Sequence, residues 1–255
     1  MANVIRTDKS RIHIVVPDSH ASPQYNNKRY DLLGKLIVDI KPDVVIDIGD
    51  WFDMSSLCSY DRGTKGFEGR RYKKDIEAGI EAQDRMYRWI KRAKKKRPRM
   101  VRCLGNHEER INRAIDRDPI LEDTIGIQDL ESEYYGFKEV YDFLDPVEID
   151  GVHYAHYFTT GVMGRPASSA RALLQRQRVS CTMGHTHTLD YETGGNVGGE
   201  RHHGLFCGVF QDYTPPFARQ SSHLWNRGVV VKRHVSRGDY DIEWISMEQL
   251  KAAYK

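Results

Sequence analysis

Acidic, amide and histidine side chains recur in five short motifs along this chain. The motifs are Asp18-Ser19-His20, Gly49-Asp50-Trp51-Phe52-Asp53, Gly105-Asn106-His107-Glu108, the lone His156, and Gly184-His185-Thr186-His187. Carboxylate and amide oxygens combined with imidazole nitrogens suit Mn, Fe, Zn or Ni. Two such ions side by side can clamp a phosphoryl group and activate water. The motifs therefore predict a hydrolytic site that holds two metal ions.

Four of these motifs directly follow apolar runs that are typical of buried strands. The runs occupy residues 12–16, 44–48, 100–104 and 179–183. Open α/β sheets bind ligands beyond the carboxyl ends of their strands, so the motifs are expected to meet at one edge of a sheet. Residues two apart at a strand end point to the same side. Asp18 with His20, and His185 with His187, have this spacing and are each expected to share one ion.

Helical periodicity predicts the elements that separate these strands. Helices are expected at residues 26–40, 71–95, 108–114, 166–178 and 246–254. The first of them joins two strands into a β-α-β unit, which implies a parallel pair. Ser246 is the expected N-cap of the last helix. Residues 116–137 are acidic and are expected to be irregular.

The segment from residue 147 to residue 157 alternates around Asp150-Gly151, a turn signal that predicts a hairpin. The returning strand carries both His153 and His156. His156 is the preferred metal ligand because it lies nearer to the end of that strand, and His153 is the alternative. From about residue 189 the chain consists of short β runs.

The composition of the chain is that of an ordinary folded domain. Its 255 residues are 39% hydrophobic and 29% charged, with a net charge of +3, so a well-packed core is expected. The four widely spaced cysteines are expected to be reduced thiols. The first ten residues lack the apolar segment of a signal peptide, and no apolar run is long enough to span a membrane. A cytoplasmic protein without a membrane contact is therefore expected.

Taken in order, the five motifs resemble those of the calcineurin-like metallophosphoesterase family, whose pattern is D-x-H, G-D-x-x-D, G-N-H-E/D, a lone H and G-H-x-H. The likeness spans residues 18–187. It implies an α/β fold, a four-layer α/β/β/α sandwich of two mixed sheets flanked by helices. A single domain is expected over residues 1–255, with an insertion at about 55–74 and a C-terminal β-rich part from about 189.

The resemblance implies two sets of metal ligands that share one residue. One divalent ion is held by Asp18, His20 and His187. The other is held by Asn106, His156 and His185. Asp50 bridges both, and its charge offsets the repulsion between two dications. Mn is the expected metal, and Fe, Zn or Ni would suit the same donors.

The resemblance also implies roles for His107 and Asp53. His107 follows a metal ligand but is expected to point toward the leaving group as a general acid. Asp53 is expected to hydrogen-bond His107 and to keep it protonated. Water activated by the two metals would attack phosphorus in line with the leaving oxygen.

The leading functional hypothesis is hydrolysis of a phosphodiester of nucleic acid or of a nucleotide. The insertion falls between two site motifs, so its arginines are expected to contact the substrate; these are Arg62, Arg70 and Arg71. In the Ser/Thr protein phosphatases of this superfamily an arginine follows G-D-x-x-D. Met54 occupies that position here, which argues against a protein phosphatase.

Two other functions would suit the same chain. A phosphomonoesterase or a dinucleoside polyphosphate hydrolase would use the same metal ligands. A non-catalytic scaffold of the same fold would lack the catalytic histidine, whereas His107 and Asp53 are both present here.

Overall fold

Two mixed β-sheets form the centre of the computed structural model, which describes residues 11–94 and 96–254. The six-stranded sheet contains β1 (Arg11–Val16), β2 (Val44–Asp47), β3 (Arg99–Cys103), β4 (Phe137–Tyr141), β10 (Gly228–Ser236) and β11 (Asp239–Ser246). Its strand order is β11-β10-β1-β2-β3-β4. The five-stranded sheet contains β5 (Val147–Ile149), β6 (Val152–Tyr154), β7 (Ser180–Met183), β8 (Leu189–Gly195) and β9 (Arg201–Cys207). Its order is β5-β6-β7-β9-β8.

Helices separate the strands much as the periodicity predicts. They are α1 (Arg29–Ile40), α2 (Tyr72–Arg92), α3 (Glu109–Arg117), α4 (Ala170–Gln177) and α5 (Met247–Ala253). The side chain of Ser246 accepts a hydrogen bond from the Gln249 backbone N–H, so the predicted N-cap of α5 is confirmed. Helix α2 ends at Arg92. Its predicted end, Lys95, lies outside the described residues, and so do the first ten residues.

The parallel arrangement of β1, β2, β3 and β4 brings their carboxyl ends to one edge of the six-stranded sheet. β6 and β7 are parallel in the same way within the five-stranded sheet. Strand β4 is a correction, because the sequence from residue 116 to residue 137 was expected to be irregular and no strand was predicted after it. Only Phe137 of this edge strand is fully buried, so its hydrophobic alternation is weak.

The two sheets pack face to face across one apolar cluster. Val15, Ile46 and Val101 of the six-stranded sheet meet Val152 and Leu205 of the five-stranded sheet there. Burial of each such side chain contributes about 1.5–3 kcal/mol, so this cluster fixes how the sheets face each other. The chain is therefore a mixed α/β sandwich.

The helices cover the outer faces of both sheets. Leu33 of α1 and Met86 of α2 pack on the outer face of the six-stranded sheet. Leu173 of α4 packs against Cys181 and Phe206 on the outer face of the five-stranded sheet. All four cysteines are free and buried. Among the described residues, no helix combines the length and the apolar character that crossing a membrane requires.

Candidate metal centre

The predicted metal ligands lie in loops that begin at the carboxyl ends of β1, β2, β3, β6 and β7. The loops after β1 and β2 are joined by a parallel bridge between Ala21 and Phe52. In the described part of the chain, three overlapping groups of histidine and aspartate side chains could hold a metal ion. Every pair of ligand atoms within a group lies within 4.8 Å. The edge of the sheet that the sequence predicts is thus where the candidate ligands meet.

The first ligand set is formed by Asp18, His20 and His187. His187 Nε2 lies 3.2 Å from Asp18 Oδ2 and 3.1 Å from His20 Nε2. Two donors that are each bonded to one ion at about 2.1 Å lie roughly 3–3.5 Å apart in a tetrahedral site. The separations in this set therefore suit a common ion.

The second ligand set is formed by Asn106, His156 and His185. Asn106 Oδ1 lies 2.9 Å from His156 Nε2 and 2.8 Å from His185 Nδ1. The two imidazole nitrogens are 3.3 Å apart. An amide oxygen flanked by two imidazole nitrogens is a donor set that borderline transition metals accept.

Asp50 lies between the two sets. Its Oδ2 atom is 3.9 Å from His20 Nε2 in the first set and 3.5 Å from His156 Nε2 in the second. The other oxygen, Oδ1, accepts a hydrogen bond of 2.9 Å from the backbone N–H of His107. The carboxylate is therefore placed where one residue can serve both sets.

Left-handed backbone conformations, rather than extended strand ends, bring these side chains together. Val16 and Met183 end their strands before the ligands begin. Four of the seven predicted ligands have positive φ angles of 45–69°; they are His20, Asp50, His185 and His187. Each such residue costs about 1–2 kcal/mol relative to the right-handed form. The side chains that are expected to share an ion lie close together, and tight turns rather than strand ends position them.

Two glycines allow the backbone to approach the carboxylates closely. A Cβ atom on Gly105 would lie 2.1 Å from Asp50 Oδ1, and one on Gly184 would lie 2.1 Å from Asp18 Oδ1. Neither distance is compatible with a side chain larger than hydrogen. The glycines that precede Asn106 and His185 in their motifs thus have a steric reason to be there.

The protonation states of the centre suit a metal. Burial favours the neutral form of Asp18 and Asp50, but the histidines around them hold the pKa of both carboxyl groups below the usual value. Burial and neighbouring histidines lower the pKa of His20 and His185. Ionised carboxylates and neutral imidazoles are the forms that bind metal ions. Asp18 Oδ1 is buried without a hydrogen-bond partner, which leaves it free to accept one more bond.

His107 lies beside the ligands and is held by Asp53. Its Nδ1 atom is 2.6 Å from the Asp53 backbone oxygen and 3.4 Å from the Asp53 carboxylate. That carboxylate is also 3.4 Å from His20 Nδ1. Burial alone would lower the pKa of His107, but the negative charges of Asp50 and Asp53 outweigh it and raise the pKa. The expected pairing of the two residues is present, with the carbonyl as the nearer acceptor.

Glu108 connects the loops that carry Asp50 and Asn106. Its carboxylate accepts backbone hydrogen bonds of 3.0 Å from Asp50, 2.8 Å from Phe52 and 2.9 Å from Gly105. Burial and the nearby Asp50 charge raise the pKa of Glu108 to about 7. Its position indicates that it holds the loops rather than an ion.

A cavity of about 560 Å³ opens beside His20, Asp53 and His107. Arg110 also lines it, with Nη2 3.1 Å from His107 Nε2 and Nη1 donating to the Asp53 carbonyl at 2.9 Å. Met54, in contrast, is fully buried in the core. Arg110, at the start of α3 and three positions after His107, is therefore a cation next to the centre that the sequence analysis did not assign to the site.

The structure places the three predicted substrate arginines differently from one another. Arg70 lines the cavity, and its Nη1 atom is 2.6 Å from Asp61 Oδ2. Among the described residues, Arg62 and Arg71 are exposed and do not belong to the lining. Substrate contact by these three arginines therefore stays a prediction, and Arg70 is the one that lies next to the centre.

The preference for His156 over His153 as a metal ligand is consistent with the structure. His153 lies within β6, paired with Glu148 and Cys181 of the neighbouring strands. In the described parts of the chain, it belongs to none of the groups that could hold an ion, whereas His156 does.

No protein-family model matches this chain, and no curated protein matches it. Inference about its function therefore depends on the donor atoms and the cavity.

Proposed function

We propose that this chain is a metal-dependent phosphoesterase of the calcineurin-like kind that hydrolyses a phosphodiester of a nucleic acid or a nucleotide. The observation that carries the proposal is the position of Asp50 Oδ2 between two complete donor sets. The face-to-face packing of two mixed sheets with helices outside supports it, because the four-layer sandwich of that family has this arrangement.

Seven residues would hold the metal ions. The set on one side of Asp50 is Asp18, His20 and His187, and the set on the other side is Asn106, His156 and His185. These donors suit Mn, Fe, Zn or Ni. A pair of such ions, when bound, lowers the pKa of water and neutralises charge on a phosphoryl group.

His107 would donate a proton to the leaving oxygen. It lies in the lining of the cavity, and the charges of Asp50 and Asp53 raise its pKa. Arg110 Nη2, which can only donate, lies 3.1 Å from Nε2, so the guanidinium has to leave this atom before Nε2 can carry the proton. The Asp53 carbonyl, 2.6 Å from Nδ1, orients the ring so that Nε2 is directed away from Asp53. Proton transfer by a positioned side chain contributes about 10²–10⁴-fold in rate.

Arg110 would bind a phosphate oxygen. Its guanidinium lies next to His107 and is fixed by the backbone oxygens of Asp53 and Met54 at 2.9 and 3.3 Å. A planar guanidinium is well suited to phosphate, since it can donate two parallel hydrogen bonds. In the protein phosphatases an arginine occupies the position that corresponds to Met54, and Arg110 would supply a comparable charge here.

The test compares bis(4-nitrophenyl) phosphate with 4-nitrophenyl phosphate, on metal-stripped protein and on protein reloaded with Mn²⁺ or Ni²⁺. We expect stripping to abolish turnover, either metal to restore it, and the diester to be the better substrate. Preference for the monoester would favour the phosphomonoesterase alternative. Full turnover by stripped protein would contradict metal dependence, and no turnover of either compound after reloading would favour the scaffold.

A further inference from the structure

The cavity beside His107 has an aromatic wall that the metal chemistry does not use. Tyr25 and Tyr213 stack there with ring centroids 3.6 Å apart and an interplanar angle of 11°. Both side chains are partly exposed. A partly exposed tyrosine ring next to a phosphate site offers a face on which a base can stack.

This wall is attached directly to the loop that carries the metal ligands. The Tyr213 hydroxyl donates a hydrogen bond of 2.8 Å to the backbone oxygen of His20. The buried guanidinium of Arg29 lies 5.2 Å from the centre of the Tyr213 ring and donates to the Ser19 carbonyl at 2.7 Å. The rings are consequently held in a fixed position relative to the centre.

Gln211 also lines this cavity. The residue is only 2% exposed, and its Oε1 atom has no hydrogen-bond partner. A buried acceptor without a partner is destabilising, because it has lost its bonds to water. A ligand that brings an N–H group into the cavity would remove that cost.

The cations of the cavity complete the set of contacts. Arg110 lies beside His107, and Arg70 lines the same space. A volume of about 560 Å³ is within the range of pockets that enclose one small organic ligand. The lining therefore combines a stacking face, an acceptor for N–H and two guanidinium groups.

We propose that this cavity is a nucleobase subsite, in which the base of a nucleoside phosphodiester stacks on Tyr25 and donates an N–H to Gln211 Oε1. A role of the subsite in selecting the substrate for hydrolysis rests on the proposed function. Binding of a base by the subsite does not depend on that function. Such a subsite would recognise one nucleotide unit of the substrate rather than the phosphates of a long strand. Arg62 and Arg71, the exposed cations of the insertion, have no part in it.

The experiment measures binding as well as turnover. Calorimetric titration of the Mn²⁺-reloaded protein uses adenosine 5′-monophosphate and ribose 5-phosphate, which differ by the base alone. We expect wild type to bind the nucleotide at least about fivefold more tightly, since stacking of one base is worth about 1–3 kcal/mol. Tyr25→Ala should remove most of this preference, and Tyr25→Phe, which keeps the ring, should retain it.

Two further variants separate the subsite from general structural damage. Gln211→Leu, which has a similar size without the acceptor, should weaken nucleotide binding several-fold and leave ribose 5-phosphate affinity within twofold. Tyr134→Ala is the matched control: Tyr134 is 72% exposed and precedes the amino end of β4, at the opposite edge of the sheet. It should leave the preference intact. Thermal unfolding of each variant reports whether it is folded.

Equal affinity of wild type for both compounds, or full preference in Tyr25→Ala, would overturn the subsite. Turnover of bis(4-nitrophenyl) phosphate, measured on the same samples, reports the proposed function separately. Metal-dependent turnover without a base preference would refute the subsite alone. A base preference that Tyr25→Ala abolishes, in protein without turnover, would support the subsite and refute the phosphoesterase.

Discussion

Two of the regions that contain buried titratable side chains differ in kind: the loops at the strand ends and the space between the sheets. Between the sheets, His13 of β1 is the cross-strand partner of Lys232 of β10. Lys232 Nζ lies 4.5 and 4.2 Å from the ring centres of Tyr154 and Tyr240. Burial lowers the pKa of both basic groups, to about 4 for His13 and well below the usual value for Lys232.

The two regions differ in backbone and in charge. His13 and Lys232 belong to regular paired strands, and burial favours the neutral form of each. In the strand-end loops the carboxylates are held ionised, and four of the predicted ligands are in the left-handed region. Burial and a shifted pKa are thus common to both regions. Converging donor atoms on strained turns are what distinguish the candidate metal centre.

The largest effect is expected from Asp50→Asn. Asp50 lies between both donor sets, so the loss of its charge should weaken both and bring turnover of bis(4-nitrophenyl) phosphate down to that of stripped protein. His20→Asn affects one set and should retain more turnover. Asp118→Asn, which changes an exposed carboxylate, is the control. Equal losses in Asp50→Asn and His20→Asn would show that Asp50 does not serve both sets.

A smaller effect is expected from His107→Asn. This residue is assigned to proton transfer and not to metal binding, so turnover should fall by about 10²–10⁴ while the metal content is unchanged. The loss should shrink for substrates with a more acidic leaving group, which needs no proton. Loss of metal from the variant, measured by mass spectrometry, would mean that His107 is a ligand.

The smallest effect is expected from His13→Phe, between the sheets, and it concerns the stability of the fold at acidic pH. The pKa of His13 is about 4 in the folded state, against 6.5 in the unfolded state. Neutral His13 therefore leaves the full stability of the fold in place above pH 6.5, and stability is lost as the pH falls toward 4 because the unfolded state binds the proton more readily. The loss is on the order of 3–4 kcal/mol once the pH is well below 4. His13→Phe should therefore reduce the fall in melting temperature over this window and leave turnover at pH 7 unchanged.

His223→Phe provides the comparison, because His223 is exposed. A fall in melting temperature that is the same in wild type and His13→Phe would show that His13 does not contribute to acid sensitivity.

The order of strands and helices was predictable because apolar runs and helical periodicity are local signals. The unit β1-α1-β2 lies within three residues of its expected bounds. Side chains of all five motifs lie close together at the carboxyl ends of the strands. Strand β4 was missed because an edge strand buries little. The reason given for the pairing of Asp18 with His20 was wrong, since a left-handed turn at His20 replaces the extended strand end.

The cavity was harder to predict because its parts are distant along the chain. Tyr25 and Tyr213 are 188 residues apart and belong to irregular segments, where no period indicates a shared surface. Arg110 also carried no such signal, because His107 precedes the predicted helix at residues 108–114 and lies in a turn before α3. Spacing within one element could be read from the sequence, and contacts between loops could not.

The central claim is that two donor sets share Asp50, and anomalous diffraction from crystals of the Mn²⁺-loaded protein tests it most directly. We predict two anomalous peaks, one among Asp18, His20 and His187 and the other among Asn106, His156 and His185, both in contact with Asp50. Data from crystals of Asp50→Asn should show both peaks weakened together. A single peak, or two peaks of which only one contacts Asp50, at saturating Mn²⁺ would contradict the claim.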